Sequence, residues 1–111
     1  QIYMSGNAAV KGIRGSSVGA ASVAAVEAFA RCAAVELAPI RVNVIRAGFI
    51  DTPLLDRYGD NRQKIIDSYA KRMPLKRVGS AVEVAGAAIY LMKNTYTTGI
   101  VLEVDGGALL I

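Results

Sequence analysis

The run from Val18 to Leu37 constrains the fold more than any other part of this sequence. Alanine recurs through it, and only Glu27, Arg31 and Glu36 are charged. Alanine gives up almost no side-chain freedom in a helix, so the run has high helical propensity. Ser16 or Ser17 stands where an N-cap belongs, and Pro39 lies just past the expected end. Glu27 precedes Arg31 by four residues, the favourable order for a helical ion pair. A helix this apolar must be covered on more than one side. Ala20, Ala24, Ala28 and Ala34 are small enough to let another backbone approach closely. The expectation is a sheet against one face and a second helix, from a partner subunit, against the other. Glu27 interrupts the apolar stretch Val18–Ala30, so no uncharged run reaches the ~18 residues of a membrane span, and none is expected.

Around this helix the chain alternates between strand and helix signals. Gln1 to Ser5 reads as the end of a buried strand, followed by a glycine-punctuated loop from Gly6 to Gly15. Arg41 to Arg46 is a short run bounded by Pro39 and Gly48, suited to a strand of a parallel sheet. The polar segment Asp51 to Gly79 predicts a helix over Asn61 to Arg72, with Asp60 as N-cap and Pro74 beyond its end. Ser80 and Glu83 form a capping box for a helix reaching about Lys93. Thr98-Gly99 then turns the chain into a last strand, Ile100 to Val104, ended by Gly106-Gly107. Such alternation implies an α/β fold with parallel strands and right-handed crossovers. With about three strands it is half of a doubly wound domain, its helices on one face largely missing. Ligands of such sheets bind beyond the carboxyl ends of the strands. Those ends are Ser5, Arg46 to Thr52, and Asp105 to Gly107.

Composition narrows the chemistry. At 53% hydrophobic, the 111 residues cannot be a disordered tail. The absence of histidine removes Ser-His and Cys-His nucleophiles and most zinc sites, and the scattered carboxylates predict no metal centre. Cys32, alone, excludes an internal disulfide framework and fits a reducing, cytoplasmic compartment. It reads as a buried, inert thiol. The net charge of +4 permits anionic partners without requiring them. The densest basic segment, Lys71 to Arg77, has no aromatic side chain interleaved for base stacking. It therefore reads as a solvated loop or lid, with phosphate contact the secondary reading and nucleic acid not expected. Arg46 reads as a salt-bridged side chain, or else as a cation at the sheet edge that meets an anion.

Four segments resemble the short-chain dehydrogenases/reductases. They are Ala33 to Val44, with Glu36-Leu37-Ala38-Pro39 and Arg41-Val42-Asn43 at its centre; Gly48 to Pro53; Pro74 to Ala85; and Thr98 to Gly107, ending in Val104-Asp105-Gly106-Gly107. Their order and spacing are those of the family and cover nearly the whole chain. The resemblance implies the C-terminal part of a Rossmann-like doubly wound sheet over residues 1–111, with a substrate loop at about 53–79. It also implies NAD or NADP as cofactor and oxidoreduction of an alcohol or carbonyl. Gly48, Ile50 and Thr52 match the family positions that touch the nicotinamide end. Ala47 stands where the family has proline.

The family's catalytic acid/base is a tyrosine, with a lysine four residues later. A phenol ionises near pH ~10 unaided, so a cation beside it must stabilise the phenolate. In the matching helix Gly19 occupies the tyrosine position and Val23 the lysine position, although Ser22 matches the family serine just before that lysine. No Tyr-x-x-x-Lys occurs elsewhere: Tyr3, Tyr58, Tyr69, Tyr90 and Tyr96 are followed four residues on by Asn7, Arg62, Met73, Asn94 and Ile100. Ser5 falls within about one residue of the substrate-orienting serine and is the candidate catalytic residue. Its alternative role is a strand-end hydroxyl satisfied by backbone. No family-type glycine-rich turn follows a strand, so this part alone is expected neither to hold the dinucleotide nor to be catalytically competent. The start at Gln1, without initiator methionine or leader, adds to the expectation of a fragment. The competing reading is a non-catalytic oligomerisation module, a homo-oligomer through the 18–37 and 80–93 helices. The small-molecule substrate stays unread.

Overall fold

The computed structural model describes all of residues 1–111. Its strands and α-helices run β1 (Ile2–Gly6), α1 (Ser17–Glu36), β2 (Asn43–Ala47), β3 (Ile50–Asp51), α2 (Arg62–Arg72), β4 (Gly79–Ser80), α3 (Ala81–Lys93) and β5 (Val101–Val104). The main sheet has the order β1-β2-β5 and is parallel throughout. Helix α1 lies on one face of it. Ala30, Ala33 and Ala34 pack there with Val42 and Val44, and Tyr3 and Val101 close the edges. Alanines on the helix side let the β-branched residues of β2 come close, which is how so apolar a helix contributes to the core. Residues pointing the other way in β2 are covered too: Ile45 is fully buried and Asn43 nearly so. On β1 that opposite face is open, with Met4 half exposed.

Several boundaries differ from the sequence reading for physical reasons. β2 begins at Asn43 rather than Arg41 because Arg41 turns to helix α3: its Nη1 donates to Leu91 O and Thr97 O, and its Nη2 to Met92 O. A cation on those last carbonyls is a helix C-terminal cap. Asp60 does not cap α2, because a 3₁₀ segment over Pro53–Asn61 leads directly into it and places Asn61 at the cap. Ser16 precedes α1 without a side-chain capping bond. The capping box is present in full: Glu83 N–H donates to Ser80 Oγ, and Ser80 N–H to Glu83 Oε2. A second small ladder pairs β3 with β4, Ile50 opposite Gly79.

Two expectations about α1 change. Cys32 is exposed, not buried, because it lies off the alanine stripe that meets the sheet. By length and composition α1 is apolar enough to cross a membrane, with a mean hydropathy of 1.5 over its most apolar window. The single charge at Glu27 does not by itself exclude that, as the sequence reading had it. What engages Glu27 is an ion pair with the sheet. Val18 and Val35 stand exposed, as does Phe29, which meets the sheet edge-on at Tyr3.

Candidate functional site

Across the carboxyl ends of the strands, Ser5, Arg46 and Glu103 stand in register and share the face beneath α1. Glu27 descends from the helix to meet them. Arg46 Nε donates to Glu27 Oε1 at 2.8 Å and Nη2 to Oε2 at 2.7 Å, the bidentate fit of guanidinium and carboxylate. Its Nη1 donates to Glu103 Oε1 at 2.6 Å. Ser5 Oγ donates to Glu27 Oε1 at 2.7 Å. The Arg46 guanidinium holds the Glu27 carboxyl below the usual carboxylate range, against the opposing effect of burial. Glu27 in turn raises Arg46. This cluster is closed: each charge has its partner. Arg46 thus follows the salt-bridge reading, and its cation is not offered at the sheet edge.

The opposite side of the same edge opens into a cleft of about 650 Å³. Gly6 and Asn7 contribute from the end of β1, and Ala47, Gly48 and Phe49 from the turn after β2. Tyr69, Arg72 and Met73 come from the end of α2; Lys11 and Arg14 from the glycine-punctuated loop; Ala108 and Ile111 from the C-terminal turn. The Phe49 and Tyr69 rings stack with centroids 3.9 Å apart and planes 12° from parallel. Arg72 lies over Tyr69, its Cζ 4.6 Å from the ring centroid. Lys11 Nζ donates to the carbonyls of Ala108 and Ile111, which ties the loop to the C-terminal turn.

Asp105 organises the cleft from behind. Its Oδ1 accepts from Gly107 N–H, and its Oδ2 from Leu109 N–H and from Asn7 Nδ2. Asn7 Oδ1 is buried without a partner. The turn carrying Gly48 passes so close that a Cβ there would lie 2.7 Å from both Cα and Cβ of Asp105. Only glycine permits that approach.

Of the residues singled out from sequence, Gly48 lines the cleft. Ile50 lies beyond its wall in β3. Thr52 follows, its hydroxyl not used to cap the 3₁₀ segment it precedes. Ser5 is 8% exposed and faces α1, while its neighbour Gly6 lines the cleft, as strand alternation demands. Gly19 and Val23 are in the first two turns of α1. A Cβ on Gly19 would have no neighbour within 4 Å. The 53–79 loop supplies the aromatic and cationic wall through Tyr69, Arg72 and Met73. In the basic segment Lys76 Nζ turns to Lys71 O. Arg77 pairs with Glu83, holding that carboxyl at about 2 with help from the Ser80 backbone. Sequence reasoning missed Asn7, Lys11, Arg14, Phe49 and Tyr69. For Arg14 and Lys11 the signal was a basic residue in a glycine-rich loop beside a strand end. The Phe49–Tyr69 stack leaves no local signal.

Comparison with known proteins follows this geometry. Residues 1–108 match a family model described as enoyl-(acyl carrier protein) reductase. The chain is 43% identical over 100 residues to a 3-oxoacyl-[acyl-carrier-protein] reductase of Bos taurus, covering 88% of this chain and 40% of that protein. It is 40% identical over 104 residues to the Homo sapiens protein of the same name, covering 92% of this chain and 41% of that one. The chain therefore spans about two-fifths of these relatives. A small-chain dehydrogenase solved in complex with NADPH superimposes with a TM-score of 0.93 at 38% identity, over 99% of this chain and 51% of that one. MalC reductase/Diels-Alderase from Malbranchea aurantiaca superimposes with a TM-score of 0.94 at 34% identity, over 99% and 43%.

Proposed function

Because the chain belongs to the short-chain dehydrogenase/reductase family, we propose that it forms the nicotinamide- and substrate-facing part of an NAD(P)-dependent oxidoreductase of alcohols or carbonyls. The observation that carries this reading is the cleft at the carboxyl ends of β1 and β2, with Gly48 in its wall. Its volume falls in the range of small-molecule sites. The residues present fit the nicotinamide end in part. The Gly48 turn borders the cleft, and the Thr52 hydroxyl is not engaged in capping. A bound dinucleotide would supply the hydride; this chain would supply walls and orientation around the carbonyl.

By itself the chain is not catalytically competent on this reading. Gly19 and Val23 bring neither phenol nor ammonium to the place where the family moves its proton. The Ser5 hydroxyl is bonded to Glu27 instead of facing the cleft. The test is a titration of the ¹⁵N-labelled chain with reduced nicotinamide mononucleotide, beside an assay for NADPH and NADH oxidation with a panel of carbonyl compounds. Shifts confined to Gly6 and residues 48–52, with no turnover, are the expected result. Turnover above buffer would overturn the inactivity, and silence at 48–52 would overturn the nicotinamide reading.

A second reading rests on α1 and α3. Val18, Phe29 and Val35 on α1, and Val82, Ile89 and Met92 on α3, are exposed apolar side chains. Apolar surface of this kind favours association. It supports a homo-oligomer through the 18–37 and 80–93 helices, with assembly and not redox chemistry as the role of this part. Sedimentation equilibrium reads this directly, and a monodisperse 11.7 kDa species would argue against it.

A further inference from the structure

Resting on the reading of the cleft as the substrate end of the site, we propose that it is built for a small anionic compound with a flat apolar portion beside its carbonyl, such as an aryl 2-oxo acid. Three cations, Lys11, Arg14 and Arg72, line the cleft, and no Asp or Glu side chain does. Lys11 is taken up by the carbonyls of Ala108 and Ile111, whereas Arg14 and Arg72 take part in no ion pair, although Arg46, Arg62 and Arg77 all do. The acid that Asn7 contacts, Asp105, has its oxygens on Asn7 and on the backbone N–H groups of Gly107 and Leu109. A cleft walled by low-dielectric side chains and charged with one sign concentrates ligands of the opposite sign.

The remaining contacts describe the rest of the ligand. Phe49 and Tyr69 form a flat slab, and Arg72 lies over the Tyr69 ring. Tyr69 is thus covered by Phe49 and Arg72, and the aromatic surface left to a planar group of an anion in the cleft is that of Phe49.

The experiment titrates the ¹⁵N-labelled chain with benzoylformate, its methyl ester and inorganic phosphate, following the amides of Gly6, Asn7, Gly48 and Phe49. Benzoylformate is expected to bind about ten-fold tighter than the ester, the size of one charge-assisted hydrogen bond. Added salt should weaken it. Arg72→Gln and, separately, Arg14→Gln should each weaken benzoylformate while leaving the ester unchanged; both side chains are at exposed positions, and the amide spectrum of each variant checks that it keeps the fold. Equal binding of acid and ester at these residues would overturn the anion assignment and leave the cleft as a carbonyl site. No shift from either compound would overturn both readings. Phosphate binding as tightly as benzoylformate would overturn the requirement for a flat apolar group.

Discussion

The two sides of the sheet's carboxyl edge both carry charge and treat it in opposite ways. Beneath α1, the Arg46 guanidinium is enclosed by Glu27 and Glu103, and Ser5 adds its hydroxyl. In the cleft, Arg14 and Arg72 have no acidic partner, and Lys11 is tied to the C-terminal turn. The buried side cannot hold a lone charge, because desolvation would be uncompensated; its charges come as a matched set that fixes how helix and sheet meet. Arg14 and Arg72 are exposed, so solvent can carry their charge. Pairing therefore distinguishes charges that specify packing from charges left for a ligand.

The largest expected effect tests the closed side. Arg46→Leu strands Glu27 in the interior and should destabilise the fold by about 3–5 kcal/mol in urea unfolding. Arg72→Gln, on the open side, should change stability by no more than about 0.5 kcal/mol. Removing both partners with Glu27→Leu and Arg46→Met should recover most of the loss, because no unpaired charge remains. The cluster also sets an acid limit. Glu27 titrates below its ordinary value of 4.5 in the folded chain, so the stability it contributes is complete above that pH. It is lost as pH falls through the depressed value, since the unfolded carboxyl takes its proton first. A flat stability profile down the acid limb would mean that water screens the pair, and the contrast between the two sides would collapse.

Next in size is the Gly48 turn, which holds the cleft to Asp105. Gly48→Ala drives a methyl group into Asp105 and should destabilise by about 1–3 kcal/mol. Chemical shifts at Asn7 and Leu109 should move with it, since both hang from the Asp105 carboxylate. If Asn7 is unmoved, the two sides of the edge are not held by separate anchors. Smaller still, Ser80→Ala removes a helix cap and should cost about 1 kcal/mol.

How much of this was legible follows from where each signal lives. The α1 run, the capping box at Ser80 and the glycine turn before β5 act within a few residues of themselves, and the sequence carries them openly. The three-stranded parallel sheet follows from their alternation. The β3–β4 ladder is two residues long on each side and exists because a distant loop returns beside it, so no periodicity announces it. The same holds for the site. Gly48 was readable from its motif, but Phe49 meets Tyr69 across twenty positions, and Arg46 shows its partners only once α1 is laid on the sheet. The strand period decided Ser5: one position earlier than Gly6, it faces the helix and not the cleft.

Gly19 gives the smallest expected effect and separates packing from chemistry most cleanly. It sits in the first turn of α1, and a Cβ there meets nothing within 4 Å. Glycine inside a helix is less favourable than alanine, so Gly19→Ala should stabilise the chain by about 0.5–1 kcal/mol. Gly19→Tyr should fold as well, because the position is exposed and a Cβ there has open space around it. Both results would mean that the missing phenol is not a consequence of packing, in contrast to Ser5 and Arg46, whose identities the helix–sheet contact demands. A loss of stability in Gly19→Ala would instead mean that another surface covers this turn in solution. A second copy of the chain is then the natural occupant, and the exposed side of α1 would be a third region whose side chains are set by contact and not by catalysis.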